Sequence, residues 1–221
     1  MIFLNSLNFD AVILDLDGTL LDSMGVWSQI DVEYLGSHGL EVPEGLQLQI
    51  GGKSFYQVAL YFQERFGITD STETIMETWN RMAFRKYSSE ISCKPGGVCF
   101  LKECENRGIH IAAATSNSRE LAETVLQANG VETYFEAIVT GTDIINGKPA
   151  PDVYLEAARR LGLAPERCLV FEDTLEGIRA GLSAGMQVIG VDDPHTAKHL
   201  PLKKALCRGI IRDFKDIVWE E

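Results

Sequence analysis

The feature that most constrains the fold is an alternation in the second half of the chain, where short apolar runs are each followed by a longer amphipathic stretch. Such runs are too short for helices, and their regular alternation with helical patterns predicts βα units around a parallel sheet. The predicted strands are Ala11–Leu14, Ile109–Ala114, Ala137–Val139, Cys168–Phe171, Val188–Val191 and Gly209–Ile211. The predicted helices are Gly97–Asn106, Arg119–Asn129, Asp152–Leu161, Leu175–Ala184 and a weaker one over Thr196–Leu206. Gly108, Gly130, Gly162 and Gly185 each fall just past a helix end, where a left-handed closing residue is easiest for glycine.

Residues 24–94 follow a different rule. Their apolar positions recur at three and four, with no short buried run between them, which predicts an all-helical insertion after the first strand. Ser23–Gly25 marks the exit and Pro95–Gly97 the return. The expected organisation is an α/β core over 1–23 and 95–221, with a helical unit over 24–94. A chain of 221 residues with 45% hydrophobic residues has enough apolar surface for both.

Charge narrows the partners. The formal net charge of -12 comes from 32 acidic residues against 20 Lys and Arg, and a surface this negative repels nucleic acid and anionic membranes. An anionic substrate would need a locally positive site made by a metal ion or a specific lysine. The five cysteines show neither C-x-x-C pairs nor zinc-finger spacing, and such a set suits a reducing compartment. Residues 1–9 lack the features of a secretion signal, and no apolar run reaches the roughly 18 residues of a membrane span, so a cytoplasmic location is expected.

Four clusters at predicted strand ends carry the chemistry. In Asp15-Leu16-Asp17-Gly18-Thr19, two carboxylates two residues apart in extended chain share a face before Gly18 turns the backbone. Such a pair calls for a cation or a shared proton, unless it is simply a solvated turn. A calcium loop is excluded, because Leu20 and Val26 stand where it would need Gly and Glu. In Thr115-Ser116-Asn117-Ser118, hydroxyls and helix-start amides either hold an anion or merely cap a helix. Gly147-Lys148-Pro149-Ala150-Pro151-Asp152 fixes a lysine in a rigid turn; it is no P-loop, since Pro149 replaces the required Ser or Thr. Glu172-Asp173-Thr174 sets adjacent acids at a buried strand end, a natural pair of magnesium ligands or a plain helix cap. All four lie where open α/β sheets place their ligands.

Together these motifs resemble the haloacid dehalogenase superfamily, specifically its phosphatases with a small helical cap after the first motif. The likeness covers nearly the whole chain and implies a Rossmann-like three-layer core with a central parallel sheet, capped by residues 24–94. It implies that Asp15 is a nucleophile forming an aspartyl phosphate and that Asp17 is the acid/base, with its backbone carbonyl in a metal shell. It further implies magnesium (Mg2+) held by Asp15, Asp17 and Asp173 with Glu172 close by. Thr115 and Lys148 would hold the phosphoryl oxygens, with Ser116 and Asn117 beside the substrate.

Asp17 argues against dehalogenases proper and phosphonate-cleaving relatives, which lack an acid there. Hexose phosphomutases of the beta-phosphoglucomutase type share both aspartates but typically carry a cap His where this chain has Trp27. Trp27 is either cap core or pocket lining, and Lys53 either reaches a second anionic group or is solvated. The expected activity is hydrolysis of a small phosphorylated metabolite, a sugar phosphate or similar, by a monomer or weak dimer; a phosphomutase is the alternative.

Overall fold

The structure is a computed structural model that describes residues 1–4, 7–50 and 55–219. The chain begins with strands β1 (Ile2–Phe3) and β2 (Ala11–Leu14), then runs through helices α1 (Val26–Ser37), α2 (Leu46–Ile50), α3 (Phe55–Phe66) and α4 (Thr72–Ser89). It continues as α5 (Gly97–Asn106), β3 (His110–Ala114), α6 (Arg119–Ala128), β4 (Ala137–Val139), α7 (Asp152–Leu161) and β5 (Cys168–Glu172). The last elements are α8 (Leu175–Ser183), β6 (Gln187–Val191), α9 (Leu200–Leu206), β7 (Gly209–Ile211) and β8 (Ile217–Val218). Two compact units result: Met1–Met24 with Ile91–Glu221, and Gly25–Glu90.

The first unit is built on a six-stranded parallel sheet in the order β4-β3-β2-β5-β6-β7. β2 and β5 are buried along their whole length, which is why they read as continuous apolar runs. One sheet face carries Ala11, Ile13, Ala112, Ala114 and Val170 against Val153, Ala157 and Ile178 of α7 and α8. On the other, Phe100 of α5 packs on Phe171 of β5 and on Phe214, at ring separations of 5.2 and 4.9 Å. Helices on both faces of a parallel sheet make this a three-layer, Rossmann-like α/β core.

Register decides where the site falls. Leu14 pairs with Ala113 on one side and Phe171 on the other, so Asp15, Thr115 and Glu172 leave the sheet at one edge. The chain runs outward from β2 through β3 to β4, then crosses back to start β5 on β2's other flank. The carboxyl ends of β2 and β5 therefore flank the switch point, where opposite-going connections leave a crevice.

Two local differences from the sequence expectation have simple causes. The stretch over Thr196–Leu206 divides into a 3-10 turn, Pro194–His199, and α9, because Pro201 has no N–H to continue a helix from Ala197. β1 and β8 pair in a separate two-stranded parallel ribbon, and strands of two residues leave no periodic signal.

In the second unit, Ser71 caps α4 by accepting from the Thr74 amide at 3.2 Å. Ile75, Trp79, Ala83, Lys86 and Tyr87 then form its buried stripe at helical spacing. Trp79 meets Phe62 and Tyr34 edge-on at 4.9 and 5.6 Å, so three helices share one aromatic core. Lys86 is buried and neutralised by Glu33 at 2.6 Å.

Candidate active site

The turn after β2 sends its two carboxylates to different partners. Asp15 is buried, and its Oδ1 lies 2.6 Å from Lys148 Nζ. Gly18 turns the chain at φ 79°, and its amide donates to Leu21 O at 3.0 Å. A Cβ at Gly18 would stand 2.7 Å from Asp173 Oδ2, so the turn presses against the β5 end and only glycine meets both demands. Asp17 accepts from Ser23 Oγ on Oδ1 and from Asn117 Nδ2 on Oδ2, each at 2.5 Å.

At the β3 end the capping role falls to Ser118, whose Oγ accepts from the Leu121 amide. Thr115 is buried, and its hydroxyl accepts from the Asn117 amide at 3.1 Å. That bond folds the loop back and aims the Asn117 side chain at Asp17. Ser116 is exposed.

Lys148 is held from three directions: besides Asp15, its Nζ donates to Glu172 Oε1 and to Ala114 O, both at 3.3 Å. These acceptors come from the ends of β2, β5 and β3, so one ammonium ties three strand ends together. Glu172 and Asp173 are buried at the end of β5. Thr174 caps α8 by accepting from the Gly177 amide at 3.0 Å while its hydroxyl donates to Glu172 Oε1 at 2.8 Å. Thr19 Oγ1 donates to Asp173 Oδ1 at 3.3 Å, whereas the buried Asp173 Oδ2 has no hydrogen-bond partner among the described residues.

The charges do not balance. Asp15, Glu172 and Asp173 bring carboxylate oxygens within 4.8 Å of one another, and among the described residues Lys148 is the one cation in ion-pair contact with them. Burial pushes the Asp15 carboxyl well above its ordinary value; Lys148 opposes this, and Glu172 and Asp173 add to it. Burial and the neighbouring Glu172 likewise push Asp173 up to about 7, although Lys203 opposes them. Burial works against the charge on Lys148, but Asp15 and Glu172 outweigh it and keep the lysine protonated. An all-oxygen set with excess negative charge and an orphaned carboxylate oxygen fits a hard divalent cation such as magnesium. The Asp17 side chain, turned to Ser23 and Asn117, stands outside this set.

Of the residues singled out from sequence, Asp15, Asp17, Thr115, Asn117, Lys148, Glu172 and Asp173 gather at the strand ends. Trp27 is half-buried on α1 in the second unit, and Lys53 lies outside the described residues. Thr19 and Ser23, named in the sequence only as part of a motif and of a chain exit, donate to Asp173 and Asp17, and Tyr154, not singled out there, sets its ring 5.3 Å from Lys148 Nζ. Lys94 pairs with Asp193 at 2.6 Å, and the buried Lys203 donates to Val191 O at 2.9 Å, neither pairing being marked by a motif. Only the fold shows what these side chains face.

A doubly wound α/β core with acids gathered around a lysine at its switch point defines a hydrolase-type site on a Rossmann-like scaffold. Residues 9–185 match the haloacid dehalogenase-like hydrolase family, and the chain belongs to it. It is 32% identical over 190 residues to the bifunctional riboflavin kinase/FMN phosphatase of Arabidopsis thaliana, covering 86% of this chain but only 50% of that protein. The phosphorylated carbohydrates phosphatase of Thermotoga maritima is 32% identical over 81% of this chain and 83% of its own length. A Thermotoga maritima structure with a provisional beta-phosphoglucomutase assignment superposes with a TM-score of 0.80 at 29% identity, covering 94% of this chain and 96% of its own.

Proposed function

We propose that the protein is a magnesium-dependent phosphatase of small phosphate monoesters, a sugar phosphate or similar metabolite, working through an aspartyl phosphate on Asp15. The observation that carries this reading is the divergent setting of the two carboxylates. Asp15 is buried against Lys148, whereas Asp17, two residues on, is held by Ser23 and Asn117. Two acids in unlike surroundings suit two unlike roles.

In the proposed first step, an Asp15 carboxylate oxygen attacks phosphorus; an O–P bond forms, the ester P–O bond breaks, and Asp17 gives its proton to the leaving alkoxide. In the second, Asp17 takes a proton from a water whose oxygen attacks the same phosphorus, releasing inorganic phosphate and restoring Asp15. Lys148 and the Thr115 hydroxyl hold the phosphoryl oxygens through both steps. Asp15, Glu172 and Asp173, with the backbone of Asp17, would hold magnesium, which when bound would supply positive charge against the repulsion between an anionic nucleophile and an anionic phosphate. Ser116 and Asn117 contribute to the substrate side of the site.

Residues 24–94 are inserted directly after the nucleophile loop, and we read them as the cap that selects the leaving group. Trp27 and Lys53 are its candidate contacts. All five cysteines are unpaired, which suits a reducing compartment, and we place the protein in the cytoplasm. No helix among the described residues is long and apolar enough to cross a membrane.

The test is phosphate release from para-nitrophenyl phosphate and a panel of sugar phosphates and nucleotides, with and without magnesium. Asp15→Asn should abolish turnover with the fold intact, and unchanged turnover would rule out the nucleophile. Interconversion of hexose phosphates without free phosphate would instead establish a phosphomutase.

A further inference from the structure

Tyr154 sits on the first turn of α7, the helix that begins right after the turn carrying Lys148. Lysine and ring thus come from one continuous segment, and any shift of the helix start moves both. The side chain is fully buried, in the layer where α7 packs on Ala114, Val139 and Val170 of the sheet. Lys148 Nζ stands 5.3 Å from the ring centroid, within the range of a cation–π contact.

The rest of the lysine's surroundings shows what the ring adds. Its three N–H bonds already have acceptors in Asp15 Oδ1, Glu172 Oε1 and Ala114 O. The phenol oxygen of Tyr154 is buried and makes no hydrogen bond of ordinary length among the described residues, although the Lys148 ammonium is near enough to interact with it. The larger surface that Tyr154 offers the lysine is the negative face of its ring, a fixed electrostatic partner in a buried site, where such contacts are strongest.

The proposed chemistry gives that partner a use. When Asp15 becomes an aspartyl phosphate it loses its negative charge, and the 2.6 Å ion pair with Lys148 is lost with it. At that moment the lysine must stay aimed at the phosphoryl oxygens, and the ring face does not change with the reaction. We propose that Tyr154 is a positioning residue that holds the Lys148 ammonium by its ring face while Asp15 cycles between carboxylate and aspartyl phosphate. This rests on the reading of Lys148 as the phosphoryl clamp.

A purely structural tyrosine would respond to volume, whereas a cation–π platform responds to ring electrons at constant volume. The experiment therefore places phenylalanine and its mono-, di- and trifluorinated analogues at position 154 of the full chain. It measures kcat/KM on para-nitrophenyl phosphate, inhibition by inorganic phosphate, and thermal melting. Tyr154→Phe should keep most of the wild-type kcat/KM, because the face is kept and the hydroxyl lost makes no hydrogen bond of ordinary length. Successive fluorination should lower kcat/KM monotonically, by roughly ten-fold at the trifluoro ring, and weaken phosphate inhibition in parallel, with melting unchanged.

A flat fluorine series, with Tyr154→Leu alone impaired, would assign the residue to packing and overturn the proposal. Loss in Tyr154→Phe equal to that in Tyr154→Leu would overturn it in favour of the hydroxyl. Lys148→Ala separates the two levels of the argument. If that variant is inactive and the series is flat, only the role of Tyr154 fails; if it keeps full turnover, the clamp and the ring's role fall together.

Discussion

Gly177→Ala exchanges a poor helix former for the best one, yet it should destabilise the protein. Gly177 is the third residue of α8, and Ala in place of Gly in a helix is worth about 1 kcal/mol at most, less in a first turn. Against that, an ideal Cβ at 177 would lie 1.7 Å from Glu172 Oε1, 2.1 Å from its Cδ and 2.6 Å from its Cγ. Contacts below 3.0 Å are essentially never seen, so the whole end of the Glu172 side chain must leave.

Moving Glu172 is costly because it is 1% exposed and already fully engaged. Its carboxylate accepts from Thr174 Oγ1 at 2.8 Å, Lys148 Nζ at 3.3 Å and the Thr174 amide at 3.4 Å. Hydrogen bonds involving a charged group contribute about 1.5–3 kcal/mol each, and the carboxylate would also have to find new partners. Two such bonds lost against one helix gain gives a net destabilisation of about 2–5 kcal/mol.

Urea unfolding should show the midpoint falling with an unchanged slope, and turnover should fall as Lys148 loses an anchor. The cause is isolated by a double-mutant cycle. In a Glu172→Ala background there is no side chain to strike, so Gly177→Ala should cost nothing or stabilise slightly. A midpoint for Gly177→Ala at or above wild type, or an equal cost in both backgrounds, would refute the steric argument.

Other outcomes follow from the same geometry. In metal-free buffer Asp173→Asn should melt above wild type, because it removes one of three crowded carboxylates; wild type should gain stability on adding magnesium and the variant should not, by thermal shift. Burial would raise Asp143, but the hydroxyl and amide of Thr140 with Arg160 and Arg119 reverse this and hold its carboxyl well below the usual range. A depressed carboxyl stabilises above its unfolded value and loses that contribution as pH falls through its folded one. Asp143→Asn should therefore cost about 1.5–3 kcal/mol at neutral pH, with the gap to wild type closing only below about pH 4 in acid-unfolding titrations. Lys94→Met leaves the buried Asp193 without its 2.6 Å partner and should cost about 3–5 kcal/mol in chemical denaturation, with much of the loss recovered on adding Asp193→Leu.

Short-range patterns settled the secondary structure of this chain. β2, β4 and β7 lie where the apolar runs place them, and α5 and α7 where their amphipathic stretches do, because a buried strand must be apolar and a helix must show one apolar face. The same local logic drew out Asp15, Asp17, Lys148 and Glu172-Asp173 as candidates, since each sits in a dense motif and all but Lys148 end or closely follow a strand. Within the helical insertion the pattern was legible but the faces were not: Val32 and Phe84 are exposed, while the smaller Ala83 is buried.

What only the tertiary structure decided is the assignment of partners. Spacing alone does not say which partners Asp15 and Asp17 meet; packing buries one against Lys148 and hands the other to Ser23 and Asn117. No pattern around Tyr154 says that its ring lies 5.3 Å from the Lys148 ammonium, and nothing near Gly177 says that a glutamate lies across it. Residue type and spacing specify which backbone a segment adopts, because those forces act over a few residues. Burial, charge balance and close approach arise only when β2, β3 and β5 bring their ends together, and those long-range contacts divide the chemistry among residues that look alike in sequence.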